Sequence, residues 1–273
     1  MRNDLADMEG TPYSEGSRPP VATPTVIYVM GAGRSGSTIL GVALGNCERV
    51  FFAGELDKWL LRRGRPRRQD PRRTRFWEAV LAQVTGAEPL FGSAVHNDLE
   101  RSSSLFRPAR RSVGRRLRVR YRQVTEDLYR ATASAAEATH VVDTSHYPLR
   151  ARELQRLPGI DLFLVLLVRD PRAVMASMAR EDVPEPTFRT LNAVGYLTLT
   201  YLISAWVYLR QPRSRRMVVR HERFLGDPER VIGELLARAG AHGEPPDFSA
   251  LETGMPLQGN RLIDADTVAL RRG

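Results

Sequence analysis

The amino-acid sequence predicts an α/β fold, a three-layer α/β/α arrangement with a central parallel sheet. Three observations predict it. Short β-branched apolar runs, foremost Thr25–Met30 and Asp161–Val168, alternate with stretches of helical spacing, and strands that alternate with helices form parallel sheets through right-handed crossovers. Both runs end in a polar loop, one rich in glycine and one headed by arginine, and each loop leads into a helix. No internal repeat breaks the alternation, so residues 25–273 are expected to form a single domain.

Residues 1–24 carry proline, glycine, serine and acidic residues without periodicity and are expected to form a disordered arm. Thr25–Met30, ended by Gly31, has the pattern of a buried parallel strand, and the apolar spacing from Thr38 suits a helix. Residues 62–75 and 101–122 hold dense arginines around a helix expected near Phe76–Gln83. With no strand signal of their own, they mark an insertion or lid at about 62–122. Its arginines could form a solvated basic face, a surface for an acidic acceptor or a nucleic-acid patch.

Regular alternation resumes with a strand at His140–Asp143, a helix near Pro148–Leu157, the strand Asp161–Val168 and a helix over Pro171–Arg180. The apolar run Leu191–Leu209 approaches membrane-spanning length, but it contains Asn192, Gly195, Thr198, Thr200 and Ser204, so a buried helix is expected and no membrane span. A strand at Met217–Arg220 follows, and Asp227-Pro228-Glu229 opens a last helix with an N-cap and a proline at its first position.

With 42% hydrophobic and 26% charged residues, the chain has a globular composition and lies outside the disordered range. The lone cysteine, Cys47, excludes an intramolecular disulfide and a cysteine-rich zinc site and fits a reducing compartment. The first twenty residues contain no apolar signal segment, and a cytoplasmic location is expected. The net charge of +10 favours an anionic partner. Lys58 is the only lysine among 41 basic residues, so cationic roles fall almost entirely to arginine, which grips phosphate and sulfate bidentately and does not deprotonate.

Gly31-Ala-Gly33-Arg34-Ser35-Gly36-Ser37-Thr38 sits between a strand and a helix, where backbone N–H groups and the helix dipole can cradle an oxyanion. The spacing is that of a P-loop, GxxxxGK[ST], with Ser37 in place of the lysine. That departure opposes a kinase or other phosphotransferase using ATP and magnesium, the first alternative reading. A basic nucleic-acid-binding module is the second. A further constellation, Arg169-Asp-Pro-Arg172 with Ser177 eight residues beyond Arg169, lies at the end of the strongest strand, where open α/β sheets bind ligands.

Both loops resemble those of sulfotransferases that use 3'-phosphoadenosine 5'-phosphosulfate (PAPS). The resemblance covers roughly residues 25–60 and 140–261 and implies a P-loop-like fold and the product adenosine 3',5'-bisphosphate. It places Gly33, Arg34, Ser35, Gly36, Ser37 and Thr38 on the 5'-phosphosulfate, with Arg34 neutralising the leaving group, and Arg169 and Ser177 on the 3'-phosphate. His221 stands where the family carries a tyrosine near adenine, and Gly259-Asn260-Arg261 is similar to a C-terminal loop that closes over the nucleotide.

Two residues compete as the base that takes the acceptor proton: Glu55, in a Gly-Glu-Leu segment similar to that of bacterial members, and His146, past the strand end at Asp143. The five histidines show no metal-ligand spacing, and no metal is expected. By resemblance the acceptor is a small molecule, a secondary metabolite or a glycan, and no nucleic-acid partner is expected. The oligomeric state is not legible in the sequence.

Overall fold

In the computed structural model, residues 23–92, 95–106, 115–179 and 190–271 are described. Five parallel strands form one sheet: β1 Thr25–Gly31, β2 Val50–Gly54, β3 His140–His146, β4 Asp161–Val168 and β5 Arg216–Arg220, in the order β2-β3-β1-β4-β5. After β1 the chain builds β2 and β3 on one side and then crosses to place β4 and β5 on the other. The carboxyl ends of β1, β3 and β4 therefore frame the crevice of a topological switch point, where such sheets bind ligands.

The period-two alternation of the strands sorts the core into two layers. Val26, Tyr28 and Met30 of β1 join Leu162, Leu164 and Leu166 of β4 on one face. Ile27 and Val29 join Phe163, Val165 and Leu167 on the other. The first face is covered by α2 Pro71–Gln83 (through Phe76, Trp77 and Val80), α4 Arg115–Ala135 (through Tyr121, Val124 and Leu128), α5 Pro148–Leu154 and α7 Thr190–Leu209. Between α2 and α4 lies the short α3, Val95–Glu100. The second face is covered by α1 Ser37–Gly45 and α9 Pro228–Ala239, with the short α8 His221–Gly226 between β5 and α9. Helices on both faces of a parallel sheet make the three-layer, P-loop-like α/β architecture. The last helix of the set carrying the site loops, α6, spans Pro171–Met178.

Two expectations are corrected. The run 191–209, expected to be buried, is a helix on the outer layer. Leu202 is 65% and Leu209 68% exposed while Ile203, Ser204 and Val207 face inward, because a helix lying on a sheet buries only one stripe. The arginines of 62–73 are more than a solvated face. Asp70 and Pro71 open α2 about a turn and a half before Phe76, with the Asp70 carboxylate capping the Arg73 amide at 2.9 Å. Arg73, 3% exposed, donates to the carbonyls of Gly254 and Ile263. Arg67 donates to the Gly259 carbonyl, Arg68 to that of Asp264, and the Trp77 indole to that of Met255. These donors clamp the C-terminal segment 253–266, which turns between the two-residue strands β6 Leu251–Glu252 and β7 Thr267–Val268. Part of the arginine-rich 101–122 stretch lies outside the described residues, as do residues 1–22 and 180–189.

Candidate functional site

At the tip of β1 the backbone turns through Arg34 (φ 67°) and Gly36 (φ 89°) into α1, leaving the first amides of the helix without intrahelical acceptors. Only glycine suits position 36. Its φ is left-handed, and a Cβ there would sit 2.4 Å from the His221 ring. His221 thus packs beneath the loop, its Nδ1 buried without a hydrogen-bond partner, and burial together with Arg169 pushes the imidazole below its usual range. The Ser35 hydroxyl is likewise buried and unpartnered, an orphan that an oxyanion in the loop would satisfy.

The loops after β1 and β4 are joined directly. Arg34 Nε donates to Ser177 Oγ at 3.2 Å, and Arg169 Nη1 donates to the Arg34 carbonyl at 2.8 Å. Asp170 caps α6 by accepting from the Arg172 amide at 2.8 Å, while its own amide donates to Glu222 at 2.9 Å, which ties the second loop to α8. Asn260 Oδ1 accepts from the Leu262 amide and starts the turn carrying Arg261.

These loops open on a cavity of about 940 Å³. Gly33, Arg34, Gly36, Ser37 and Thr38 line it from the first loop, Arg169 and Ser177 from the second, and Asn260 and Arg261 from the C-terminal segment. Glu55 and His146, the two candidate bases, line it as well. Ser35, Gly259 and His221 do not. Gly259 lies behind the wall, where a Cβ would come within 3.5 Å of Ile263 and Thr38. Sequence reasoning missed Lys58, Arg101, Tyr147 and Tyr196, which also line it. Their only signal was Lys58's standing as the sole lysine.

The wall that carries Glu55 and His146 is tied down by hydrogen bonds from beneath. The Glu55 amide donates to the Gln258 carbonyl at 2.8 Å, the Leu56 amide to Asp143, and the Asp57 amide to Ser145 Oγ at 3.0 Å. Asp143, fully buried, also accepts from Tyr129 and from Arg150, and Arg150 pairs with buried Glu100 at 2.6 Å. Burial first, and the nearby Asp57 carboxylate second, push Glu55 from 4.5 up to about 7, where it can exchange a proton at neutral pH. Lys58 lies 2.7 Å from Asp57 and over the Tyr147 ring. His146 ends β3 in a left-handed conformation (φ 56°), which is strained for a residue with a Cβ, and burial pushes its imidazole down toward the neutral form.

Among the described residues no group of three or more His, Cys, Asp or Glu side chains could hold a metal ion, and no helix is long and apolar enough to cross a membrane.

Comparison with known proteins gives one family and a set of fold relatives. The chain is similar to the sulfotransferase domain from the curacin biosynthetic pathway, with 16% identity, 89% of this chain and 87% of that chain covered, and a TM-score of 0.54. It is also similar to the sulfotransferase domain from the Synechococcus PCC 7002 olefin synthase, with 20% identity, coverage of 91% and 82%, and a TM-score of 0.52. At these identities the likeness is one of fold. No curated protein sequence matches significantly. The model described as Sulfotransferase family matches residues 24–245, from the start of β1 to beyond α9, and so takes in both strand-tip loops and both candidate bases. On that match the chain belongs to the sulfotransferase family.

Proposed function

We propose that the protein transfers a sulfuryl group from PAPS to a hydroxyl of a small-molecule acceptor, releasing adenosine 3',5'-bisphosphate. The observation that carries this reading is the contact between the two loops: Arg34, Ser177 and Arg169 form one bonded unit at one cavity, so a ligand phosphorylated at both ends meets both loops at once. The loop amides and the orphaned Ser35 hydroxyl suit the 5' end, and Arg169 with Ser177 suits the 3'-phosphate. PAPS supplies the activated sulfuryl group.

Glu55 accepts the acceptor proton as carboxylate, and His146, held neutral, hydrogen-bonds the acceptor oxygen. Arg34 holds positive charge against the bridging oxygen as it departs, and because a guanidinium does not lose its proton, that charge is constant across the working pH range. Positioning and charge neutralisation by arginine and amides account for the catalysis with no metal in the scheme. The neighbours named above come from the curacin biosynthetic pathway and an olefin synthase, which favours a secondary-metabolite acceptor over a glycan.

Thermal unfolding tests the donor. Adenosine 3',5'-bisphosphate at a hundredfold excess over its Kd should stabilise the protein by about 2.7 kcal/mol, and ADP with magnesium should not. Arg169→Ala should weaken that binding, and Arg34→Ala should nearly abolish turnover of labelled PAPS with a panel of hydroxyl acceptors. Equal stabilisation by both nucleotides would return the reading to an ATP-dependent phosphotransferase.

A further inference from the structure

Tyr196 lies on α7, far in sequence from the first strand-tip loop, yet its hydroxyl accepts the Gly33 amide at 3.1 Å. It therefore occupies an amide of the first loop, and both residues line the cavity. The ring is seated from below. With Met175 and Met178 of α6 it packs on a small cluster of Ala32, Val174 and Leu197, so the phenol is anchored to the same helix that carries Ser177. Tyr147 lines the same cavity. Tyr147 follows His146 directly, and the two rings lie 4.4 Å apart. Tyr196 thus lines one cavity with the first loop and both candidate bases, the cavity in which the transfer would take place.

We propose that the Tyr196 hydroxyl is a catalytic group that donates a hydrogen bond to an equatorial oxygen of the sulfuryl group in transit. This rests on the sulfotransferase reading above. In the step the bond from sulfur to the bridging phosphate oxygen breaks as the bond from the acceptor oxygen forms. The acceptor proton passes to the Glu55 carboxylate, the bridging electron pair leaves with adenosine 3',5'-bisphosphate, and Tyr196 keeps its proton throughout. In the free protein the phenol oxygen holds the Gly33 amide. On donor binding that amide turns to the anion, and the phenol bonds the sulfuryl oxygen beside it.

Orthovanadate, which adopts the five-coordinate geometry of the transfer, tests this without a known acceptor. Its affinity is measured by thermal shift at saturating adenosine 3',5'-bisphosphate, for the wild type and for Tyr196→Phe, which keeps the packed ring and loses the hydroxyl. The expected result is a 10- to 100-fold loss of vanadate affinity in the Phe variant with nucleotide Kd within threefold of wild type, and partial recovery in Tyr196→Gln, which restores a donor. Equal vanadate affinity in wild type and variant overturns the proposal, as does a wild type on which vanadate has no effect, or a loss confined to nucleotide binding. Should the Phe variant fail to fold, the Gln variant and the wild type decide by the same comparison, with a tenfold or smaller loss expected and unmeasurable binding in the Gln variant refuting it. Failure of the wild type to bind adenosine 3',5'-bisphosphate is a different outcome and overturns the donor assignment as well.

Discussion

Glu55→Gln should make the protein more stable and less active, and the stability gain should depend on pH. In the unfolded chain the carboxyl titrates near 4.5; in the folded protein burial and Asp57 hold it to about 7. Between those values the folded state keeps a proton that the unfolded state has released, so raising the pH through this window costs stability, and the cost levels off above about 7. At 1.36 kcal/mol per pH unit the interval amounts to about 3 kcal/mol, which contact with cavity water lowers to about 2. The neutral amide of the variant would carry no such cost. Urea unfolding followed by circular dichroism at pH 4.5 and pH 8 should show the variant gaining about 2 kcal/mol on the wild type between the two conditions. In parallel, kcat/KM of the wild type should climb to about pH 7 and then level, and the variant should lose on the order of a hundredfold or more. A stability difference that stays constant with pH would show that the carboxyl is ordinarily solvated, and the argument for its role as base would fail with it.

Gly36→Ala should lower stability by about 1–3 kcal/mol through the left-handed backbone and the clash with His221, weaken nucleotide binding at least tenfold in calorimetry, and be partly relieved by His221→Ala. Arg150→Met should cost about 3–5 kcal/mol in urea unfolding, because it strands the buried carboxylates of Glu100 and Asp143; adding Glu100→Gln should return part of that loss. Cys47, buried with its thiol pushed up to about 11, should resist iodoacetamide at pH 8 in the native protein and label readily in denaturant, as followed by mass spectrometry.

What was legible in the sequence is what local patterns encode. The strand, glycine turn and helix at 25–45 are contiguous, as are β4, Arg169 just past its end and the helix that carries Ser177, so spacing alone located both loops and hence the crevice. Residues that meet only in the folded chain left no such mark. Tyr196 reaches Gly33 across 163 positions, Lys58 lies over the Tyr147 ring, and the arginines of 62–73 find their acceptors nearly two hundred residues later. Hydropathy also misled at 191–209. An apolar run does not say which of its faces meets the sheet, and Leu202, Trp206 and Leu209 are left toward solvent. His221, expected near the nucleotide, packs against Gly36 and does not line the cavity.

The clamp on residues 253–266 bears on how the protein is made. Glu55 is registered by the carbonyl of Gln258, and Arg67 and Arg73 have their acceptors at Gly259, Gly254 and Ile263. A nascent chain that has already released its first loop from the ribosome must still wait for more than two hundred further residues before that register exists. Until then buried Arg73 has no home for its charge, so incomplete products should be triaged as misfolded rather than accumulate as partial nucleotide binders.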